Sequence, residues 1–467
     1  MNNPFTTLSL TGDQHALLMG HLYPGDNKEA VAILLCNRRA GDRRHRLVAR
    51  EIHLIPHEQC SVRTETQVTW PTDLLEPILE RATKYALSVI KIHSHPRGYP
   101  RFSQTDDIAD RDLLPLVRGW VEADVIHGSV VVLPNGEMFG RVLGSENDFI
   151  KLDLINVVGD DLYFWYSDAN TSEMPSFVAS HAQLFGAGTT ERLRRLSIAV
   201  IGCSGTGSPV IEQLIRLGVG ELIIVDDDRM DDRNVNRILN STILDANEHS
   251  LKALMLALAI DKIGLGTRVI PICRNLWDPE VIRQVAQCDI VFGCMDTVDG
   301  RFLLNTLATY YTISYFDLGV RLDAIPNGPQ KGKIREVCGT VHYLQPGRSS
   351  LISRGLFTME QVAHARLRHT DPAAHEQQVK DGYIKGIQEY RPAVISVNMY
   401  IAALAINDFL ARLHPYREAP NCKIASIEAS LSSLELFPEP EGTPCTVLQQ
   451  YVGKGDVTPL LDIVELS

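Results

Sequence analysis

The chain has no apolar run long enough to cross a bilayer. One of the longest, Ala253–Ile260, falls far short of the roughly 20 residues a spanning helix needs. Its opening residues, MNNPFTTLSL, have neither the basic start nor the apolar body of a signal peptide. Basic residues are not in excess. Lys and Arg number 45 against 57 Asp and Glu, a net charge of -12 that argues against a broadly nucleic-acid-binding surface. The nine cysteines are scattered without the spacing of a disulfide framework, which points to a reducing compartment and hence the cytoplasm. No P-loop, internal repeat or low-complexity tract is present, so kinase-type phosphoryl transfer is disfavoured. What is left is a soluble protein of 467 residues, long enough for two or three domains that each bury a core.

What is there is organised around residues 196–228, LSIAVIGCSGTGSPVIEQLIRLGVGELIIVDDD, which read as strand, glycine-rich turn, helix, strand. Gly202, Gly205 and Gly207 let the backbone turn sharply and approach a phosphate with no Cβ in the way. A helix starting near Pro209 would aim its first N–H groups at that phosphate. The second strand, Leu222–Val225, runs into Asp226, Asp227 and Asp228, where a carboxylate can accept from ribose hydroxyls. Such a glycine pattern alone fits many nucleotides. Downstream stand Asn234, Arg237, Lys252 and, after the strand-like DIVFG, Asp296. Two cations and a further carboxylate serve ATP and its magnesium, and a nicotinamide has no use for them.

This ordered set resembles the adenylation domain of the ubiquitin-activating-enzyme-like family, over roughly residues 180 to 415. The family includes bacterial enzymes that activate the sulfur carriers of molybdopterin and thiamine synthesis. The resemblance implies that Gly202, Gly205 and Gly207 with the helix N-terminus cradle phosphates and that Asp226, with Asp228 beside it, holds ribose. Asn234 and the catalytic cations Arg237 and Lys252 would neutralise phosphate charge, and Asp296 would bind magnesium. A carboxylate would then attack the α-phosphorus of ATP to give an acyl-adenylate and pyrophosphate.

Residues 1–150 form a separate unit in which strands over Ala30–Cys36, Arg46–Leu54 and Leu87–Ile92 and a helix over Pro71–Lys84 are expected. The last strand leads into KIHSHPRGYPRFSQTDDIAD, with His93 and His95 on one side of an extended segment and Ser103 and Asp106 at a helix start. Two imidazoles and a carboxylate supply three zinc ligands and leave a fourth position open, the catalytic arrangement. This H-x-H-x7-S-x2-D spacing resembles the JAMM zinc metalloproteases, which cut peptide or isopeptide bonds at the C-terminus of ubiquitin and its relatives. The resemblance implies zinc on His93, His95 and Asp106, an oxyanion contact from Ser103 and an upstream glutamate as general base. Glu29, just ahead of the strand AVAILLC and after a Pro-Gly turn, is the leading candidate, with Glu51 and Glu65 as rivals.

The remaining stretches carry less. The basic run Asn37–Arg46 reads as a solvated hairpin loop. Residues 151–190 read as a linker and helical lead-in ending at Phe185-Gly186, without the arginine that many relatives place just before it; Arg192, Arg194 and Arg195 are the available substitutes. A helix carrying Arg301 and Asn305 and another buried strand follow. Residues 326–392 read as an insertion suited to crossing a bound tail. In the apolar helix after it, Met399, Tyr400 and Phe409 are expected in the core. Where relatives carry two C-x-x-C pairs, this chain has Ser350, Ser353 and Cys445, so a four-thiolate zinc site is excluded. Cys338 is the best remaining thiol for an acyl group, and the expectation is direct transfer of the adenylate.

The expected fold is therefore α/β: a JAMM (cytidine-deaminase-like) domain at 1–150, the linker, a doubly wound Rossmann-like ATP-binding domain at 191–420, and its C-terminal strands and tail at 421–467. The expected function is bifunctional: zinc-dependent cleavage at a ubiquitin-like C-terminus and ATP-dependent adenylation of it, in a bacterial ubiquitin-like or sulfur-carrier pathway. Phage defence and cofactor or siderophore synthesis both stay open. The implied partners are the carrier's tail, a conjugating protein or sulfur donor, and a second copy through the adenylation domain. Two other classes remain: a degenerate module that only grips such a tail, and a nicotinamide-dependent oxidoreductase.

Overall fold

A computed structural model describes residues 4–41, 43–168, 174–325, 328–370 and 393–467. Contacts divide the chain into two units: Met1–Thr171 with Tyr310–Thr312 and Tyr451–Thr458, and the remainder.

The first unit opens with β1 (Phe5–Thr11). Thr11 then caps α1 (Gly12–Leu22), accepting from the Gln14 N–H at 3.1 Å while the Gln14 carboxamide accepts from the Thr11 N–H at 2.9 Å. β2 (Val31–Ala40) and β3 (Arg44–Leu54) make a hairpin, followed by a short ribbon of β4 (Val62–Arg63) and β5 (Val68–Thr69), then α2 (Glu76–Tyr85), β6 (Ser88–Ser94) and α3 (Gln104–Val121). β7 (Gly128–Val132), β8 (Met138–Leu143), β9 (Phe149–Lys151), β10 (Leu154–Val158) and β11 (Leu162–Tyr166) complete a nine-stranded mixed sheet in the order β11-β10-β1-β3-β2-β6-β7-β8-β9. Side chains alternate across a strand, so Ala30, Ala32 and Leu34 join the core under α1, while Val31, Ile33 and Leu35 join the one under α2 and α3. Helices on both faces explain why the run AVAILLC is continuously apolar.

Two expectations change here, and two elements are additional. Neither β1 nor α1 stands out in the sequence. β10 pairs in parallel with β1 and β11 pairs with β10, so residues 154–166, including LYFWY, are sheet and not linker. The basic run is not a solvated loop: β2 and β3 extend through most of it, and Arg46 is 2% exposed with its guanidinium donating to Ser9 Oγ at 2.8 Å.

The second unit begins with α4 (Ala179–Arg195), broken at Gly186 where φ is 78°. There follow β12 (Ser197–Ile201), α5 (Gly207–Arg216), β13 (Glu221–Val225), α6 (Ile243–Asn247), α7 (Lys252–Ile263), β14 (Arg268–Ile272), α8 (Pro279–Val285), β15 (Ile290–Gly293) and α9 (Val298–Tyr311). β16 (Ser314–Ala324) and β17 (Ile334–Leu344) precede α10 (Met359–Thr370), α11 (Ile395–Leu413), β18 (Ser426–Ser430) and β19 (Glu435–Glu439). Strands β14-β13-β12-β15-β16 run parallel, and β17, β18 and β19 extend the sheet antiparallel. Because the chain starts at β12 and builds outward in both directions, the strand order reverses between β12 and β15, which opens a crevice at their carboxyl ends.

α5 starts at Gly207, two residues ahead of the expected Pro209, which sits in the first turn where a missing N–H is harmless. In α11 Phe409 is fully buried, but Met399 and Tyr400 are 46% and 42% exposed. Nine residues are two and a half helical turns, so Tyr400 lies opposite Phe409, and Met399 also falls outside the buried stripe of Val397, Ile401, Ala405 and Phe409. The expected crossing loop lies partly outside the described residues, at 326–327 and 371–392. Among the described residues no helix is long and apolar enough to cross a membrane.

Candidate metal centre and nucleotide pocket

In the first unit β6 ends on His93 and Ser94, and His95 follows directly. Ser103 is the N-cap of α3: its Oγ accepts from the Asp106 N–H at 3.1 Å, and its own N–H and Oγ donate to Asp106 Oδ2 at 2.6 and 2.7 Å. This box turns the Asp106 carboxylate back toward the histidines. Asp106 Oδ1 lies 3.0 Å from His93 Nε2, Asp106 Oδ2 lies 3.3 Å from His95 Nε2, and the two Nε2 atoms are 3.2 Å apart. Burial raises the Asp106 pKa, but the hydrogen bonds from His93 and His95 outweigh it and hold the carboxyl far below its usual range.

The donor set fits a cation. His95 Nδ1 lies 2.8 Å from the Tyr99 carbonyl and donates to it, so that when a cation replaces the proton shared with Asp106, Nε2 would present its lone pair to the metal. The three side chains keep ligand atoms within 4.8 Å of one another, in the His-His-carboxylate combination that zinc takes.

The same two elements are tied again one step back. Asp110, one turn beyond Asp106 and fully buried, bonds Lys91, two residues before His93, and Arg141 of β8 at 2.7 Å. This bridge fixes where α3 sits along β6, and with it the reach of Asp106.

Glu29 is buried just ahead of β2, with its N–H on the Thr64 carbonyl at 2.7 Å. The next N–H, of Ala30, donates to the hydroxyl of Ser94, between the two histidines, at 2.9 Å. Burial raises the Glu29 carboxyl to about 7, His95 pulls it down and Asp106 pushes it up. The rivals differ: Glu51 is paired with Arg81 at 2.5 Å, and Glu65 is bound by Arg97 at 2.6 Å.

In the second unit a cavity of about 770 Å³ occupies the crevice between β12 and β15. Gly202, Gly205, Asp226, Asp228, Asn234, Arg237, Lys252 and Asp296 all line it. Gly202 has φ +91°, and a Cβ there would stand 2.8 Å from the Cys294 carbonyl oxygen. Gly207 does not line the cavity. A Cβ on it would stand 1.7 Å from the Gly202 carbonyl oxygen, so this glycine lets α5 close onto the turn.

Asp226 accepts backbone N–H groups on both oxygens, from Cys203 at 2.6 Å and Asp228 at 2.9 Å, and burial raises its carboxyl even though Lys252 pulls it down. Lys252, at the first residue of α7, lies 2.6 Å from Asp228. Asn234 closes a capping box, its Oδ1 accepting from the Asp231 N–H at 3.1 Å.

The far walls are not visible in the sequence. Trp277 donates its indole N–H to Asp299 at 3.1 Å, and Arg301 is bonded through Nε to Asp317 at 2.9 Å, with Tyr315 donating to the same carboxylate at 2.7 Å. Asn398 of α11 also lines the cavity. No motif links these positions, and among them only Arg301 stands out from its helix context. Arg192, Arg194 and Arg195 of α4 are not among the lining residues.

A glycine turn into a helix N-terminus, at the switch point of a doubly wound sheet, defines the second unit as a nucleotide-binding fold. Residues 178–438 match the ThiF family, and residues 13–157 match prokaryotic homologs of the JAB domain. The first match takes in more than half of the chain, which therefore belongs to the ThiF family and carries a JAB-type domain ahead of it. The chain is 23% identical over 266 residues to ubiquitin-like modifier-activating enzyme 5 of Bombyx mori, covering 54% of this chain and 64% of that one. Over 131 residues it is 30% identical to the adenylyltransferase and sulfurtransferase UBA4 of Meyerozyma guilliermondii, covering 28% and 30%. The chain thus spans less than two thirds of the length of these curated relatives. A crystal structure of E. coli MccB with ATP aligns at a TM-score of 0.44 and 17% identity, over 58% of this chain and 74% of that one.

Proposed function

We propose that this chain adenylates the C-terminal carboxylate of a small ubiquitin-like or sulfur-carrier protein and hydrolyses a bond at the same kind of tail. The observation that carries the first activity is the single cavity that gathers Asp226, Arg237, Lys252 and Asp296 around the glycine turn. Asp226, already fixed by two backbone N–H groups, accepts from ribose. The tail's carboxylate oxygen attacks the α-phosphorus, the bond from that phosphorus to the bridging oxygen breaks, and pyrophosphate leaves with the electron pair. Lys252, Arg237 and Asn234 stabilise the charge that moves onto the phosphates. Asp296 would hold magnesium, which supplies further charge neutralisation when bound. The names of the related activating and sulfurtransferase enzymes support a carrier protein as the substrate class.

For the second activity, His93, His95 and Asp106 would hold zinc, which polarises the scissile carbonyl and acidifies water when bound. Ser103 keeps its N–H on Asp106, and its hydroxyl turns from Asp106 Oδ2 to donate to the developing oxyanion. Glu29 takes one proton from water and returns it to the leaving amine, a task suited to a carboxyl near 7. Isotope exchange of labelled pyrophosphate into ATP, dependent on a small protein ending in Gly-Gly, tests the first reaction. Cleavage of a C-terminal extension from the same protein tests the second. Absence of exchange with every carrier from the gene neighbourhood would leave a tail-gripping module as the better reading.

A further inference from the structure

Asn398 sits on the first turns of α11, 193 residues from the glycine turn, yet the two meet. The helix is held hard against the sheet, because a Cβ on Gly339 of β17 would stand 2.5 Å from Ile401, and Phe409 packs edge-on against Phe292 and Phe316. That seating carries Asn398, one turn before Ile401, to the mouth of the turn. A Cβ on Gly205 would stand 2.3 Å from Asn398 Nδ2 and 3.2 Å from Arg237 Cδ. Gly205 is therefore glycine for a second reason beyond phosphate approach: its missing side chain is where the Asn398 amide lies.

Asn398 is 4% exposed, lines the cavity, and its carboxamide makes no hydrogen bond to a described residue. Its backbone N–H is spent inside the helix, on Val394 at 3.1 Å. The amide itself opens onto the cavity, so its N–H is placed to donate to whatever fills the space at the Gly205 turn, water or a bound ligand. The groups around it are an arginine, a glycine turn and the start of α5, an environment that selects an anionic acceptor.

We infer that Asn398 is a nucleotide-binding residue whose carboxamide N–H donates to a phosphate oxygen held at the Gly205 turn. The inference rests on the ATP reading above and adds to it a ligand from the far side of the pocket. It also makes α11 part of the phosphate site, so that ATP binding joins the turn after β12 to the helix covering β16 and β17.

The test is binding of ATP and of adenosine to the full-length parent, Asn398→Asp and Asn398→Ala, followed calorimetrically with magnesium present. Asn398→Asp keeps the size and replaces a donor with a like charge. It should weaken ATP at least tenfold and leave adenosine within twofold, and Asn398→Ala should weaken ATP by three- to tenfold with adenosine again unchanged. ATP bound by both variants as tightly as by the parent, or ATP and adenosine weakened by the same factor, overturns the assignment in favour of a packing role. Should Asn398→Asp fail to fold, the Asn398→Ala comparison decides alone. A parent that binds adenosine and ATP equally overturns the phosphate contact while sparing the nucleoside site; a parent that binds neither overturns the nucleotide reading and this assignment with it.

Discussion

Lys252 and Asp228 form an unequal pair: the two groups are 2.6 Å apart, but the lysine side chain is 5% exposed and the aspartate side chain 70%. The cation is held in place and its counter-ion faces the cavity's open side. On the adenylation reading proposed above, incoming phosphates would compete with Asp228 for an ammonium that does not have to move far. Lys252→Ala should cut pyrophosphate exchange by about 100-fold and lower the melting temperature, because the hydrated Asp228 loses little but the buried Asp226 loses the cation that pulls its carboxyl down. Asp228→Ala should lower stability by less, about 1 kcal/mol, because its carboxylate is largely exposed and Asp226 still faces the ammonium. Equal thermal shifts in the two variants would contradict the asymmetry.

Asp296 stands three residues past the end of β15, on the cavity wall. Asp296→Ala should abolish pyrophosphate exchange and leave hydrolysis of a tail extension intact. Exchange that survives the substitution removes Asp296 from the magnesium assignment.

The metal centre is testable without turnover. Purified protein should carry about one zinc, held by the His-His-carboxylate set. His95→Ala should lose it while adenylation persists. Asp110→Asn should keep the metal but weaken it in a chelator competition, since it loosens the Lys91 and Arg141 bridge that seats α3 against β6. The cobalt-substituted variant should also show an altered visible spectrum; a spectrum matching the parent's would mean that the Asp110 bridge does not set the ligand geometry.

The acyl group should pass directly from the adenylate to a partner. Cys338 is buried on β17, and burial, then Glu336 and Glu428, raise its thiol pKa, the opposite of what activates a nucleophile. Ser350 and Ser353 are spent on each other's backbone, the N–H of Ser350 donating to Ser353 Oγ at 2.8 Å. A non-reducing gel after incubation with ATP and carrier should show no thiol-sensitive adduct. An adduct that disappears in Cys338→Ala would refute direct transfer, and a thiol-resistant, hydroxide-sensitive one would point to the serines.

His127 supplies a pH dependence. It is 1% exposed, its Nδ1 accepts the Val89 N–H at 3.1 Å, and burial and then Arg118 push its pKa down to about 4. The folded pKa lies below the ordinary 6.5, so the unfolded chain takes up a proton that the folded chain refuses. Stability is complete above 6.5, falls as pH drops from 6.5 toward 4, and loses about 3 kcal/mol from this group. His127→Asn keeps an acceptor for Val89 and should flatten that decline in urea unfolding of the first unit. A decline as steep as the parent's would place the effect elsewhere.

Local chemistry is legible in the order of residues alone. The glycine turn between two apolar strands, and the histidine pair with a carboxylate one cap box beyond Ser103, are short-range patterns whose geometry follows from strand and helix periods. The residues in those patterns do converge in space. Pairing at a sheet edge is different, because β10 and β11 look like linker until β1 offers a free edge. Arg46 reads as surface until Ser9 is placed beside it, and Tyr400 reads as core until the facing of α11 is set by Gly339 beneath Ile401. The far wall of the pocket, from Trp277 through Arg301 to Asn398, has no spacing of its own. It exists because a parallel sheet brings strand ends that are distant in sequence to one crevice, and burial of helix faces, a non-local quantity, decides which side chains look into it.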